Sequence, residues 1–216
     1  MPTAAELKAR HRAVRDAQPE PLRVRIHRAI SWLDRAEREA DDDDARFLFL
    51  WIAFNAAYAS ETGFEHSQRD QANAFLARLL AVDHAHRLHD LLYRQFTGPI
   101  RTLVDNRFVF EPFWKAQRGH DAGNRWAEQF AASQRIALKA LMEQQTSLLL
   151  SIVLDRLHVL RNQLVHGGAT WNGSANRHQV RDGARIMGVL VPAVILLMME
   201  DGVVDFGEIA YPQVAG

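Results

Sequence analysis

The chain contains no cysteine among its 216 residues. Disulfides, thiolate metal sites and cysteine nucleophiles are therefore excluded, and the composition fits a reducing compartment. Motifs for a Gly-rich phosphate loop, a serine nucleophile elbow or an HExxH zinc site are also missing, so the sequence gives no support for nucleotide hydrolysis or proteolysis. We expect a cytoplasmic protein that works without a metal or other cofactor.

A net charge is lacking too, because 26 Lys and Arg residues balance 26 Asp and Glu residues. The whole molecule exerts no bulk attraction on nucleic acid or on an anionic membrane, and any basic surface must be local. The N-terminal residues have no apolar stretch of the kind a secretory signal needs. The most apolar segment, residues 186–199, contains Pro192 and is shorter than the roughly 20 residues of a membrane span. It predicts a buried helix.

Helical periodicity is present along nearly the whole chain, whereas the alternation typical of strands is almost absent. A one-sided apolar stripe recurs at steps of three and four between Leu22 and Leu33, and residues 46–59 are apolar on every side, which predicts a central helix. The sequence therefore predicts an all-α helical bundle, a single domain over residues 1–216 with its core at about 20–200 and a short extended C-terminal tail.

Several local features lead to narrower expectations. The acidic run at residues 41–44 precedes a helix, where its carboxylates can cap free N–H groups. Asn55 is the polar exception in the central helix, and we expect its amide to bond a neighbouring backbone. Helices are predicted over about 68–82 and 83–96, with a break at residues 97–99 and an ordered loop over 106–124.

The segment LRNQLVHGG, residues 160–168, closes a helix predicted over about 146–166. Its apolar residues define a core-facing seam: Leu150, Val153, Leu157, Leu160 and Leu164. Gly167 and Gly168 supply the helix end, since one of them can adopt the left-handed conformation that glycine takes at little cost.

Three chemically useful side chains lie at this helix end. At about 100° per residue, Asn162 and His166 share a face that points away from the seam. Arg161 flanks the seam, and its long side chain can reach the same surface. The spacing thus permits a site that combines a phosphate-binding cation with an imidazole, which exchanges protons near neutral pH. It equally fits an ordinary helix C-terminus, where basic residues are common.

The RNxxxH arrangement of Arg161, Asn162 and His166 resembles the signature of the HEPN superfamily. Two longer stretches, FLFLWIAFNAAY at 47–58 and the segment 160–194, resemble its Apea-like branch. Together with the helical frame, the resemblance covers roughly residues 20–200. The six-residue motif is weakly specific alone and much more specific in combination with the apolar helix at 47–58 and the continuation GGATW at 167–171.

The resemblance implies a metal-independent endoribonuclease whose two motifs meet across a homodimer interface. His166 would then transfer protons, Arg161 would bind the phosphate, and Asn162 would orient the phosphate or His166. The product would be a 2′,3′-cyclic phosphate, and the protein could act as a toxin or defence effector with an antitoxin or other regulatory partner. Gly168 departs from HEPN toxins that carry a tyrosine two residues after the histidine, so regulation through that tyrosine is not implied.

Two other functional classes stay open. The same fold can serve as a non-catalytic binding or dimerisation module that senses a nucleotide or another small ligand through its basic cleft. The chain can also be a helical scaffold in which the motif is a simple helix end. The intact pair of Arg161 and His166 favours the nuclease, because binding alone has less need of a histidine placed for proton transfer.

Arg177, Arg181 and Arg185 recur every four residues at the start of the last predicted helix, about 175–200. This basic stripe can hold neighbouring RNA phosphates. Equally, its members can be solvated or paired with acids such as Asp182 or Glu200.

Trp171 and a histidine cluster at residues 83–90 are the remaining candidates. We expect Trp171 to anchor its loop by burial, with stacking on a base as the less favoured alternative. His86, His89 and Asp90 are spaced to hold zinc or nickel. The absence of further ligands at clear spacing favours a polar helix face there instead.

Overall fold

The computed structural model describes residues 1–59, 68–120, 125–174, 176–200, 206–207, 209 and 211. The helices are α1 (Ala4–Val14), α2 (Glu20–Glu37), α3 (Asp43–Tyr58), α4 (Gln68–Val82), α5 (Arg87–Asp90), α6 (Thr97–Val104), α7 (Glu111–Gln117), α8 (Trp126–Met142), α9 (Thr146–Val165) and α10 (Arg177–Glu200). The regular secondary structure of the described residues is helical, which confirms the all-α prediction.

The chain divides into two compact units, and each is described by itself. Unit 1 comprises residues 1–87 and 187–216, and unit 2 comprises residues 88–186. The prediction of one domain over residues 1–216 stays a prediction.

Unit 1 is built around the pair α2 and α3, whose residues pack closely along their lengths. The predicted stripe of α2 is buried: Leu22, Ile26, Ile30 and Leu33. The side chain of Asp42 accepts a hydrogen bond from the backbone N–H of Ala45 at 3.0 Å, so the acidic run caps α3 as expected. In α3, Phe47, Phe54 and Ala57 are almost fully buried, in agreement with a central helix.

The expected role of Asn55 is wrong, because its Oδ1 has no hydrogen-bond partner within the described part of the chain. Arg25 makes the connection instead. This side chain is 1% exposed and donates to the carbonyl oxygens of Ala57 and Ala59. It also donates to the carbonyls of Phe206 and Gly207, which lie in the C-terminal tail. A guanidinium carries five N–H donors and a side-chain amide only two, so Arg25 can donate to all four of these carbonyls, which one amide could not.

Helix α10 is long and apolar enough to cross a membrane, by length and composition only. However, 72% of its most apolar stretch is buried within the structure. Burial of this kind is typical of a core helix and agrees with the prediction for residues 186–199.

Unit 2 is organised around α9, which contacts both α6 and α8. The helix break predicted at residues 97–99 lies one residue earlier, at Phe96, and residues 97–99 themselves begin α6. The ordered loop predicted over 106–124 is wrong for its described residues, which contain a 3₁₀ turn, Arg107–Val109, followed by α7. Pro99 and Pro112 lie in the first turns of these helices, where the missing N–H of proline costs nothing.

The helix predicted over 83–96 is also different. Residues 83–86 form a turn, with His86 at a φ of 53°, α5 spans one turn only, and a π-helix runs over Leu91–Gln95. Leu88, Leu91 and Leu92 are fully buried, so the apolar side of this segment packs inward as expected, but His86 lies in the turn and not on a polar helix face.

Candidate functional site

Helix α9 presents its predicted apolar seam to the core of unit 2. Leu150, Val153, Leu157 and Leu160 are each at most 1% exposed, and Leu164 is half-buried. Burial of these side chains fixes the rotation of the helix about its axis, since turning it would expose them to water. The position of the motif at the last turn is therefore set by the packing of the earlier turns.

The end of α9 is a Schellman motif. Gly167 has a φ of 69°, the N–H of Gly168 donates to the carbonyl of Gln163 at 2.7 Å, and the N–H of Gly167 donates to that of Leu164 at 3.3 Å. This is the glycine-dependent stop that the sequence predicts. His166 is the C-cap residue, with φ −93° and ψ 12°, so the geometry of the stop directly sets its backbone.

The structure brings two of the three predicted catalytic residues into direct contact. Nη1 of Arg161 donates to Oδ1 of Asn162 at 2.8 Å, which leaves the amide N–H₂ of Asn162 as a donor. The backbone N–H of His166 donates to the carbonyl of Asn162 at 3.0 Å. Arg161 and Asn162 are half-buried, whereas His166 is exposed.

The imidazole of His166 has no hydrogen bond within the described part of the chain, so no carboxylate there fixes its tautomer. Two donors, the guanidinium and the amide, precede it by about one turn of the same helix. This combination suits an anion with several oxygens, since Arg161 can offer a planar fork and Asn162 an N–H₂ group.

Gln163, which lies between Asn162 and His166 in the motif, connects three segments of the chain. Its Nε2 donates to the carbonyl of Phe108 at 2.5 Å, and its Oε1 accepts from Nδ2 of Asn176 at 2.7 Å. Asn176, just before α10, has a φ of 56°, a left-handed conformation that asparagine tolerates. Sequence reasoning missed Gln163 because its partners lie 55 and 13 residues away.

The predicted basic stripe lies on one helix, as α10 carries Arg177, Arg181 and Arg185 at four-residue steps. Arg181 and Arg185 are exposed. Nε of Arg177 is directed back to the carbonyl of Gly173 at 3.1 Å, so this arginine also holds the loop that follows the motif.

Trp171, in the same loop, is 73% exposed. The expectation that burial of this ring anchors the loop is therefore wrong. The hydrogen bonds of Gln163 and Arg177 hold the loop instead, and the indole is left on the surface.

Metal binding finds no support in the described residues, where no group of three or more His, Asp and Glu side chains is placed to hold an ion. In the histidine cluster at residues 83–90, Nδ1 of His89 lies 3.3 Å from Oδ1 of Asp90, and its Nε2 lies 3.2 Å from Oε1 of Gln144. The imidazole also packs on the ring of Tyr93, at 4.6 Å between centroids. These contacts favour a structural role for His89.

A further charged group that the sequence did not reveal is Arg156, which is 3% exposed. Its guanidinium lies 4.4 Å from the ring centre of Phe110 and donates to Oγ of Ser133 at 2.8 Å. Burial lowers the pKa of Arg156 to about 10, although the nearby Asp155 acts to raise it. The residue is enclosed by aromatic rings, so we assign it to packing rather than to a substrate.

Comparison of the chain with protein-family models, with curated proteins and with solved structures finds no match in any of the three.

Proposed function

We propose that the protein is a homodimeric, metal-independent endoribonuclease of the HEPN type. The observation that carries the proposal is the end of α9, where a solvent-exposed imidazole follows a guanidinium–amide pair by about one helical turn. If this segment served only to terminate α9, Gly167 would be sufficient, and the helix end would not require the side chains of Arg161, Asn162 and His166. The half-buried, hydrogen-bonded Arg161 and Asn162 are in addition prearranged for an anion.

The reaction assigned to this site is transesterification of an RNA phosphodiester. A base removes the proton of the ribose 2′-hydroxyl, whose oxygen attacks phosphorus while the bond to the 5′-oxygen breaks. An acid protonates the departing 5′-oxygen, which yields a 2′,3′-cyclic phosphate and a 5′-hydroxyl. Arg161 stabilises the additional negative charge on the phosphoryl oxygens, and the N–H₂ of Asn162 donates to one of them.

The requirement for both an acid and a base supports a dimer. One motif supplies one histidine, whereas two motifs related by a twofold axis supply two. Exposed apolar side chains at the end of α9 and in the loop that follows it are suited to such an interface, because Val165 is 51% exposed and Trp171 is 73% exposed. The exposed Arg181 and Arg185 then extend the positively charged surface along the RNA backbone.

The test is incubation of purified protein with single-stranded RNA in EDTA, comparing wild type with His166→Ala and Arg161→Lys. Loss of the histidine should lower the cleavage rate about 10²–10⁴-fold. The lysine variant keeps the charge but loses the planar fork, so it should also be slow. His120→Ala is the matched control, because His120 is an exposed histidine just beyond the end of α7, and it should cleave like wild type.

Other outcomes discriminate among the alternatives. Cleavage that survives loss of His166 would exclude this site, and equal cleavage of DNA, which lacks the 2′-hydroxyl, would exclude the mechanism. Absence of cleavage together with nucleotide binding would favour the non-catalytic binding module. For a toxin or defence effector, expression of wild type should arrest growth, and His166→Ala should relieve the arrest.

A further inference from the structure

An open cavity of about 540 Å³ lies within unit 2 beside the motif. Its lining includes Asp105, Asn106, Arg107, Phe108, Asn176 and Gln179. Its volume falls in the range of small-molecule sites, which commonly measure about 300–1,000 Å³. Nothing in the sequence pattern indicated it, because its walls come from α6, the following 3₁₀ turn, α8 and the start of α10.

The cavity is joined to the motif through Gln163. That side chain bonds the backbone of Phe108 and the amide of Asn176, and both of these residues line the cavity. Gln163 follows Asn162 directly and precedes His166 by three positions, so it occupies a face of α9 adjacent to the motif face. A ligand that fills the cavity would thus lie next to the proposed site for the scissile phosphate.

The walls of the cavity combine a flat aromatic surface with unused polar groups. Phe108 is 39% exposed, and the guanidinium carbon of Arg107 lies 5.0 Å from the centre of its ring. The amide of Gln179 makes no hydrogen bond within the described residues, and Asn106 uses its Oδ1 for the N–H of Phe108 but leaves its N–H₂ without a partner there. Rings and amides of this kind stack on and read a nucleobase.

Asp105 decides which base fits best. One of its oxygens accepts from Nε2 of Gln134 at 3.0 Å, and the other has no partner among the described residues. Asp105 is also the C-cap residue of α6, where the negative end of the helix dipole disfavours a carboxylate. Local helix stability therefore does not account for an acid at this position, whereas a ligand with hydrogen-bond donors does.

We propose that this cavity is a guanine subsite for single-stranded RNA, an inference that rests on the proposed ribonuclease function. Guanine alone among the four bases offers two adjacent donors, N1–H and the 2-amino group, for the carboxylate of Asp105. Its O6 and N7 accept from Arg107, and its ring stacks on Phe108. The base held there positions the neighbouring phosphodiester against Arg161 and His166.

Binding is measured by calorimetric titration of the 216-residue protein with the 5′-monophosphates of guanosine, adenosine, cytidine and uridine. GMP should bind most tightly. Asp105→Asn keeps the shape and should lower GMP affinity about tenfold with little effect on UMP, whereas Phe108→Leu should weaken all four. Glu128→Gln is the matched control, since Glu128 is an exposed acid on α8 outside the cavity, and it should change none of them.

A stability measurement separates recognition from folding. Asp105→Asn removes a carboxylate from a helix C-terminus and should leave the free energy of unfolding unchanged or slightly higher. A variant that binds GMP less well while folding at least as well has lost a contact with the ligand. Equal affinity for the four nucleotides, or GMP affinity unaffected by Asp105→Asn, would overturn the subsite.

Cleavage mapping distinguishes failure of the subsite from failure of the nuclease. Short RNAs with a single guanosine should be cut next to it, and Asp105→Asn should remove that preference but retain cleavage that depends on His166. Cleavage that depends on His166 without any preference for guanosine would overturn the subsite alone. Selective binding of GMP without cleavage would overturn the nuclease and retain the subsite.

Discussion

The left-handed glycine after His166 allows a quantitative test of how the motif is positioned. Gly167 has a φ of 69°, and a Cβ added there would meet no atom within 4 Å. The added methyl group of Gly167→Ala would therefore meet no steric clash. The loss of folding free energy comes from the backbone conformation alone. An L-residue in this region costs about 1–2 kcal/mol. The ratio of folded to unfolded protein should fall about 5–30-fold.

The chain contains a matched control. Gly119 ends α7 with a φ of 77° and equally open surroundings, and the N–H of Gly119 and His120 repeat the same pair of bonds, to Ala116 and Lys115. Gly119→Ala should therefore lower the free energy of unfolding by the same amount. Both glycines lie in unit 2, so one urea transition reports on both.

Activity should separate the two variants. Gly167→Ala displaces the backbone of His166 and should reduce RNA cleavage, whereas Gly119→Ala should not. Gly167→Asn should recover part of the stability, since asparagine tolerates the left-handed region. At a position with negative φ, Gly→Ala stabilises by about 0.4–1 kcal/mol. A rise in stability of Gly167→Ala would therefore refute the assigned helix stop.

Three further predictions concern stability. Leu157→Ala, at a site that is 0% exposed, should lower the free energy of unfolding in urea by about 2–5 kcal/mol. Arg156→Met replaces the buried, charged side chain with an apolar one of similar volume and should leave the free energy of unfolding unchanged or raise it. Arg156→Lys keeps the charge but loses the stacking on Phe110, and it should lower the free energy of unfolding. Burial lowers the pKa of His11 below its usual 6.5, helped by nearby positive groups. The unfolded chain thus binds the proton more readily, so stability should fall as the pH drops below about 6.5, and His11→Leu should flatten that dependence.

Each of these has a result that would contradict it. A loss below 1 kcal/mol for Leu157→Ala would mean that the seam of α9 is not the packed core of unit 2. A strongly destabilised Arg156→Met would show that the guanidinium is needed for more than volume. An unchanged pH profile in His11→Leu would place the acid sensitivity elsewhere.

The helices were predictable because their signal is local. The stripe of α2, the capped start of α3 and the seam and glycine stop of α9 each depend on residues within one or two turns. Pro99 and Pro112 were misread for the converse reason. A proline disrupts the interior of a helix but is common in its first turn. Whether a helix begins at a given proline depends on how the residues that follow it pack.

The candidate site was predictable in its residue types but not in its surroundings. The spacing of Arg161, Asn162 and His166 placed them on one helix end. The bridge through Gln163 and the cavity around Asp105 depend on contacts between segments far apart in sequence, which periodicity does not report. Trp171 shows the same limit, since its hydrophobicity favoured burial and yet its loop presents it to solvent.

Unit 1 is made of two segments that are far apart in sequence, and this affects how the protein folds during synthesis. Unit 2 is continuous, whereas unit 1 joins residues 1–87 to residues 187–216, and Arg25 donates to carbonyls 181 and 182 positions later. During translation, the N-terminal helices must wait for the last segment of the chain before their buried guanidinium finds all of its acceptors. The middle of the protein can therefore fold before the beginning, in contrast to the usual N-terminal-first order.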